Sequence, residues 1–399
     1  MRRSGFAIAA DGSYAARLTL GAGTGAAGPS EEGAADGDGA AWFPERWTLD
    51  GPEPYAVPLP LDQPEEPDAE VLPLVDGRVL IHRQVADRQA FSLLYPAGPG
   101  TGELPLGAVE CPELTLLPPS PDGACAYALA PGPGRTTVWQ VVGGSYGPEP
   151  VATVRGRCTG GVWLDRTGRM LALDRELDGV VKAVVVDLER AGEVSPLLQL
   201  AEGSNDRLLL ADTDSGLLLI RSDAPGHDRL GWGVLGSTKP VRFPECLRTP
   251  GRTVTPFAVQ PGQVLMPESC AVALRIDGPD GTWVGTWRPS GRRLVQQAAP
   301  EGWLAGAGLW TRDGVLRLPY VTGTMPCGVA RLPAPRDVRE AMSSDTRQGA
   351  PPGGRFDGAG ASAPPETTGG HGSAARPTRP APRPVPLQQA PLTGRVAAG

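Results

Sequence analysis

The chain is poor in the residues that carry most enzyme chemistry. It holds three histidines in 399 residues, and only His82 and His227 lie outside its C-terminal stretch. General acid–base work by imidazole is therefore not expected. Lysine is almost missing, with Lys182 and Lys239 set against 35 arginines. That skew reads as the codon habit of a GC-rich genome rather than a binding device. No two of the six cysteines form a C-x-x-C pair, which excludes zinc held by local spacing. No run approaches the ~18 apolar residues that a spanning helix needs. The opening Met1-Arg2-Arg3 resembles the start of a signal peptide, but Asp11 cuts the apolar run short and no Ala-x-Ala follows. A cytoplasmic location with reduced thiols is the expectation. An excess of positive charge is also lacking. The net charge is −7, and residues 343–399 contribute +3, so the body carries −10. That balance argues against nucleic acid, which needs a basic face.

What the chain has is glycine, proline and a repeat. A tight corner recurs at Gly12, Gly77, Gly123, Gly168, Gly216, Gly262 and Gly314, with gaps of 65, 46, 45, 48, 46 and 52 residues. Glycine suits these corners because a tight hairpin needs a positive φ. A second mark runs in phase with the first. An aromatic ends the third strand and a glycine follows, at Trp47 and Gly51, Trp139 and Gly143, Trp232 and Gly236, and Trp287 and Gly291. Tyr95 and Gly98 form a shorter version, and the fourth and seventh repeats lack the aromatic. A period near 45 residues with four short strands per unit predicts an all-β, seven-bladed β-propeller of four-stranded antiparallel blades. No single blade can bury both of its faces, so the blades lean on one another.

On these residues, Ser120-Pro121-Asp122-Gly123 and the tryptophan ending strand three above all, the chain resembles the WD40-like and TolB-like propellers. The resemblance covers residues 5–334. It departs from WD40 proper in having no Gly-His opening and no Trp-Asp closing pair, which favours a looser bacterial propeller.

Within this frame blade one carries an insertion at 21–41, rich in Gly and Ala with four acids, read as a solvated loop. A proline- and acid-rich loop, Gln63-Pro64-Glu65-Glu66-Pro67-Asp68, leads into blade two. Strands are expected at 161–164, 170–173, 180–188 and 197–200 in blade four. In blade five they fall at 207–211, 217–220, 231–235 and 241–243, and in blade six at 255–259, 264–266, 271–287 and 294–297. Blade seven shows three strands, and residues 335–342 serve as a short helix or closing segment. Residues 343–399, almost without large apolar side chains, form a Pro/Gly/Ala/Arg-rich tail that cannot offset ordering entropy and is expected to be disordered. Its Thr378–Pro386 portion favours polyproline II.

Four constellations invite a chemical reading. Gly143-Gly144-Ser145-Tyr146-Gly147 matches G-x-S-x-G and resembles the serine motif of prolyl oligopeptidases. A nucleophile elbow needs strand turning into helix, whereas Pro148-Glu149-Pro150 follows here, so a hairpin turn is expected. His82 falls in a strand and His227 in a loop, each a packed or solvent-facing side chain. Asp212, Asp214 and Gly216 alternate as in calcium loops, but the twelfth position is Asp223 rather than Glu, and a strand intervenes. Cys111, Cys158 and Cys246 each follow an outer strand, which makes a thiol cluster at one channel mouth conceivable. No catalytic, cofactor-binding or metal-ligating residue is assigned, and no cofactor is expected.

The first expectation is a non-enzymatic, monomeric binding propeller whose acidic loops favour a basic protein or peptide, with no nucleic acid and no membrane as partner. The alternative is a central-channel enzyme or small-molecule binder of the lactonase- or lyase-like kind, since one ring hosts both. Convergent acids, His and Arg in the channel would favour the alternative. An exposed apolar patch on one rim would favour the binder.

Overall fold

The computed structural model describes residues 5–22, 40–262 and 265–334. They form an all-β protein in which antiparallel meanders follow one another along the chain. The first takes strands Phe6–Ile8, Tyr14–Ala22, Ala40–Thr48 and Tyr55–Pro58. The second takes Glu70–Pro73, Val79–Val85, Arg88–Ala97 and Gly100–Glu110, and the third Thr115–Leu116, Ala126–Gly132, Arg135–Val142 and Glu149–Arg155. The fourth (Arg157–Trp163, Met170–Leu177, Val180–Asp187, Glu193–Leu198) and the fifth (Asp206–Ala211, Leu217–Ser222, Arg229–Val234) merge into one seven-stranded sheet. Their link is a single parallel pairing of Lys182 with Asp206. The sixth meander runs Thr253–Val259, Val272–Gly278, Gly281–Trp287 and Val295–Ala298, and the last Leu309–Trp310, Val315–Tyr320 and Gly328–Pro333.

Six of the seven glycine corners adopt the left-handed conformation the repeat requires, with φ between 69° and 82°. Gly262 does not, and a different constraint replaces the turn. A Cβ there would lie 2.5 Å from Ser215 Cβ, while the Gly262 N–H donates to Asp212 Oδ2 at 3.1 Å. This glycine is fixed by close approach to the neighbouring meander. Further departures from the sequence reading have similar local causes. The stretch expected at 271–287 is two strands folded at Gly278-Pro279-Asp280-Gly281. Of the strand expected at 264–266, Leu265 and Met266 lie in no strand and Met266 caps a short 3-10 turn, Pro267–Ser269, while Val264 lies outside the described residues. Residues 241–243 contribute only an isolated bridge between Arg242 and Trp232. At the edges of the expected insertion, Gly21, Ala22, Ala40 and Ala41 belong to paired strands. Residues 23–39, the closing segment 335–342 and the tail 343–399 lie outside the described residues.

Each apolar core lies between two meanders. Ala16 and Leu59 of the first pack with Val79, Ile81 and Leu94 of the second. Leu80 and Phe91 of the second pack with Leu116 and Ala128 of the third. Val138 and Val154 meet Trp163 and Leu171, Ala172 and Val185 meet Leu218 and Ile220, Trp232 meets Val272 and Trp287, and Ala273 meets Trp310 and Leu316. The last meander then returns to the first, where Ala307 and Cys327 pack with Phe6, Ala15 and the fully buried Trp47. At about 25 cal/mol per Å2 these layers supply the main driving force for association of the meanders.

Side chains also stitch the junctions between meanders. Arg46 Nη1 donates to Gly77 O, Leu116 N to Glu70, Cys158 N to Thr136 Oγ1, and Leu208 N to Asp174. Arg221 donates to Val254 O, Arg275 to Ala305 O, and Arg317 to Leu49 O at 2.8 Å, across 268 positions of the chain. Among the described residues, no helix is long and apolar enough to cross a membrane.

Candidate interaction surface

Antiparallel order sets two rims. The glycine corners and the turns from third to fourth strand share one. The hairpins from second to third strand, and the linkers to the next meander, share the other. The linker rim of the first two meanders holds the surface of interest. Ala16, Leu18 and Leu20 alternate onto one strand face, and the packing of Ala16 on Val79 and Ile81 points that face at the second meander. Val79, Ile81, Arg83 and Val85 share the face pointing back. Toward the rim this junction loses its filling, and Leu20 is 52% exposed and Val85 55%. Half-buried Trp42 stands directly opposite Leu20 on the neighbouring strand, so the two share a face.

The linker 59–69 holds this opening in place. It follows the strand Ala40–Thr48, with Leu59 N donating to Pro44 O and Glu65 N to Trp42 O, both at 2.8 Å. The buried Glu65 carboxylate then receives Arg83 in a two-pronged pair, Nε to Oε2 at 2.7 Å and Nη2 to Oε1 at 2.8 Å. Arg83 Nη1 reaches Glu103 Oε1 at 2.7 Å. Burial opposes the Arg83 charge, but the two carboxylates outweigh it and raise the guanidinium pKa above its ordinary value. Two acids thus engage this one cation. Asp62, Glu66 and Asp68 are exposed on a linker that contains no Lys or Arg. The linker rim of this junction thus carries exposed Leu20 and Val85 and half-buried Trp42 on the facing sides of two meanders, with the exposed acids of the linker beside them.

The motifs singled out from sequence are not brought together. Ser145 is exposed in a hairpin loop between Arg135–Val142 and Glu149–Arg155, with a strand and no helix after it. Neighbouring Tyr146 is 99% exposed. His82 is buried and stacked on Phe91 at 5.2 Å, and its Nε2 meets Gln89 Oε1 at 2.7 Å. His227 is exposed in the hairpin between Leu217–Ser222 and Arg229–Val234.

The calcium-like acids also separate. Asp212 Oδ2 accepts from Ser215 N, Ser215 Oγ and Gly262 N, and Asp214 pairs with Arg166. Asp223 lies beyond the far end of the strand Leu217–Ser222, roughly 20 Å along it at ~3.3 Å per residue, and is held by Asn205. Cys111, Cys158 and Cys246 sit in three different cores. Cys158 lies inside the strand Arg157–Trp163 rather than in a linker. Burial pushes its thiol up to about 11.

On the inner side of the fourth and fifth meanders, the positive-φ pair Gly160 and Gly161 bulges opposite Asp174. Desolvation raises Asp174 to about 6, against the hydrogen bond from Leu208 N and the Arg207 charge 3.7 Å away. Next to it Asp206, wholly buried, accepts from Lys182 Nζ at 2.8 Å, Leu200 N at 2.9 Å and Ser222 Oγ at 2.6 Å. Sequence reading missed this network, although one of only two lysines in the chain marks it.

Antiparallel meanders of mostly four strands, packed face to face one on the next, are the architecture of a β-propeller. No family model and no curated protein matches the sequence. Solved structures similar to the chain include TolB from Acinetobacter baumannii, at 10% identity over 81% of this chain and 78% of that one, with a TM-score of 0.42. Prolyl oligopeptidase B from Galerina marginata, in its complex with a 35mer hydrolysis and macrocyclization substrate (H698A mutant), is similar at 11% identity over 79% of this chain and 45% of that one, with a TM-score of 0.48. The acylaminoacyl peptidase of Pyrococcus horikoshii is similar at 10% identity over 84% and 52%, with a TM-score of 0.46. The chain spans about half the length of these two peptidases.

Proposed function

We propose that the chain is a seven-bladed, non-enzymatic propeller that binds a basic protein or peptide on the linker rim of its first two blades. The observation that carries this reading is exposed Leu20 and Val85 with half-buried Trp42 on one rim, beside exposed Asp62, Glu66 and Asp68. Apolar side chains left in water at a rim favour a partner that covers them. The acidic border favours cations and disfavours anions. A cytoplasmic, monomeric protein is the accompanying proposal, supported by six free cysteines suited to a reducing compartment.

Titration of an arginine- and proline-containing peptide tests the reading. Affinity falls with added salt, and Asp62→Asn/Glu66→Gln/Asp68→Asn weakens it about tenfold, the size of three exposed pairs at roughly 0.5 kcal/mol each. Binding that ignores both salt and these substitutions overturns the assignment of this surface.

A further inference from the structure

The chain carries a segment with the chemistry this surface selects. Residues 376–386 read Arg-Pro-Thr-Arg-Pro-Ala-Pro-Arg-Pro-Val-Pro, with three arginines, five prolines and no acid, and no acid follows Glu366. A proline-spaced segment of this kind is pre-organised as polyproline II, which docks on aromatic and apolar surfaces at low entropic cost. Its arginines match the acids of the 59–69 linker, and its prolines match Trp42, Leu20 and Val85.

The place where the described chain ends also fits. Ala334 is held by Gly314 O in the last meander, and that meander packs on the first through Trp47 and Arg317. About 41 residues separate Ala334 from Arg376, a maximum contour of roughly 130 Å. From the corner rim to the linker rim is roughly 30 Å, the length of a nine-residue strand. The segment therefore reaches the surface without stretching.

We infer that residues 376–386 dock in cis on the Leu20–Trp42–Val85 surface and compete there with the basic partner. This rests on the proposed binding role of that surface. A tether of this length holds the segment at about 1 mM. With an intrinsic Kd near 0.1 mM the segment is then bound about nine-tenths of the time, which weakens a competing ligand about tenfold.

The test uses the full chain and a fluorescent peptide of sequence 376–386 added in trans. Wild type is compared with Arg376→Glu/Arg379→Glu/Arg383→Glu, which changes only the tail. The tail variant is expected to bind the added peptide about tenfold more tightly, and Asp62→Asn/Glu66→Gln/Asp68→Asn to weaken the peptide in either background. Equal affinities for wild type and tail variant, with the linker substitutions still weakening both, overturn docking in cis and leave the binding surface standing. Binding to neither protein, or binding indifferent to the linker substitutions, overturns both.

Discussion

Asp206→Ala is predicted to be among the most damaging single substitutions in the chain. Its carboxylate is wholly buried and takes Lys182 Nζ, Leu200 N, Ser204 Oγ and Ser222 Oγ as donors. Removing one partner of a buried ion pair costs about 3–5 kcal/mol, because the other charge stays behind without compensation. Lys182 keeps Ala201 O and Ser204 Oγ as acceptors, which places the loss near the lower end, about 3 kcal/mol. Asp206 also holds the single parallel pairing that joins the fourth and fifth meanders, so unfolding should begin there. Urea unfolding followed by tryptophan fluorescence measures the change, with Lys182→Met and the double variant completing the cycle. Lys182→Met/Asp206→Ala should cost less than the two single changes added together. The pH dependence has a definite sign. Burial alone would raise the Asp206 pKa, but the donors outweigh it and hold it below 3.8. The Asp206 contribution is therefore complete above the ordinary carboxylate range and lost as pH falls below it. A loss under 1 kcal/mol at pH 7, or strict additivity, would refute the reasoning.

Asp174 behaves in the opposite sense. Its folded pKa of about 6 lies above the ordinary carboxylate range, so its stabilising share is present below about pH 4 and lost as pH rises through 6. Asp174→Asn should stabilise the protein by about 1–3 kcal/mol at pH 7.5 and change little at pH 4, as read by denaturant midpoints. Gly123→Ala should cost at least 1–2 kcal/mol, since φ is +69° and the new methyl would lie 2.1 Å from Val75 Cγ1. Trp47→Ala, at the seam between first and last meanders, should cost about 3–5 kcal/mol, while Ser145→Ala, in an exposed loop, should leave stability within about 0.5 kcal/mol.

The architecture was legible because backbone geometry constrains the glycine corners. Gly12, Gly77, Gly123, Gly168, Gly216 and Gly314 must reach positive φ, and that demand writes itself into the chain as a period. Strands defined by burial were read where apolar runs are short and bounded, as at 170–173 and 217–220. The long outer strand Gly100–Glu110 escaped because its solvent-facing position tolerates three glycines, a proline and two acids. The stretch 264–266 misled because a short apolar run such as Leu265-Met266 cannot distinguish a strand from the lead into a 3-10 turn at Pro267–Ser269. The interaction surface was half legible. The acids of 63–68 were evident, but Leu20 and Trp42 come to face the strand of Val85 only when two meanders meet, and no local pattern encodes that meeting. The Asp206 network needed four segments spread over residues 182–222.

Closure of the first meander onto the last is the claim on which the rest depends, and a thermodynamic cycle between Gly12 and Leu309 tests it directly. A Cβ on Gly12 would lie 2.2 Å from Leu309 Cδ2, although 297 positions separate them in the chain. Gly12→Ala should therefore be costly in the wild-type background and about 1 kcal/mol less so beside Leu309→Ala, where the obstructing methyl is gone. Effects that add within about 0.3–0.5 kcal/mol, as for distant sites, would mean that the first and last meanders do not meet.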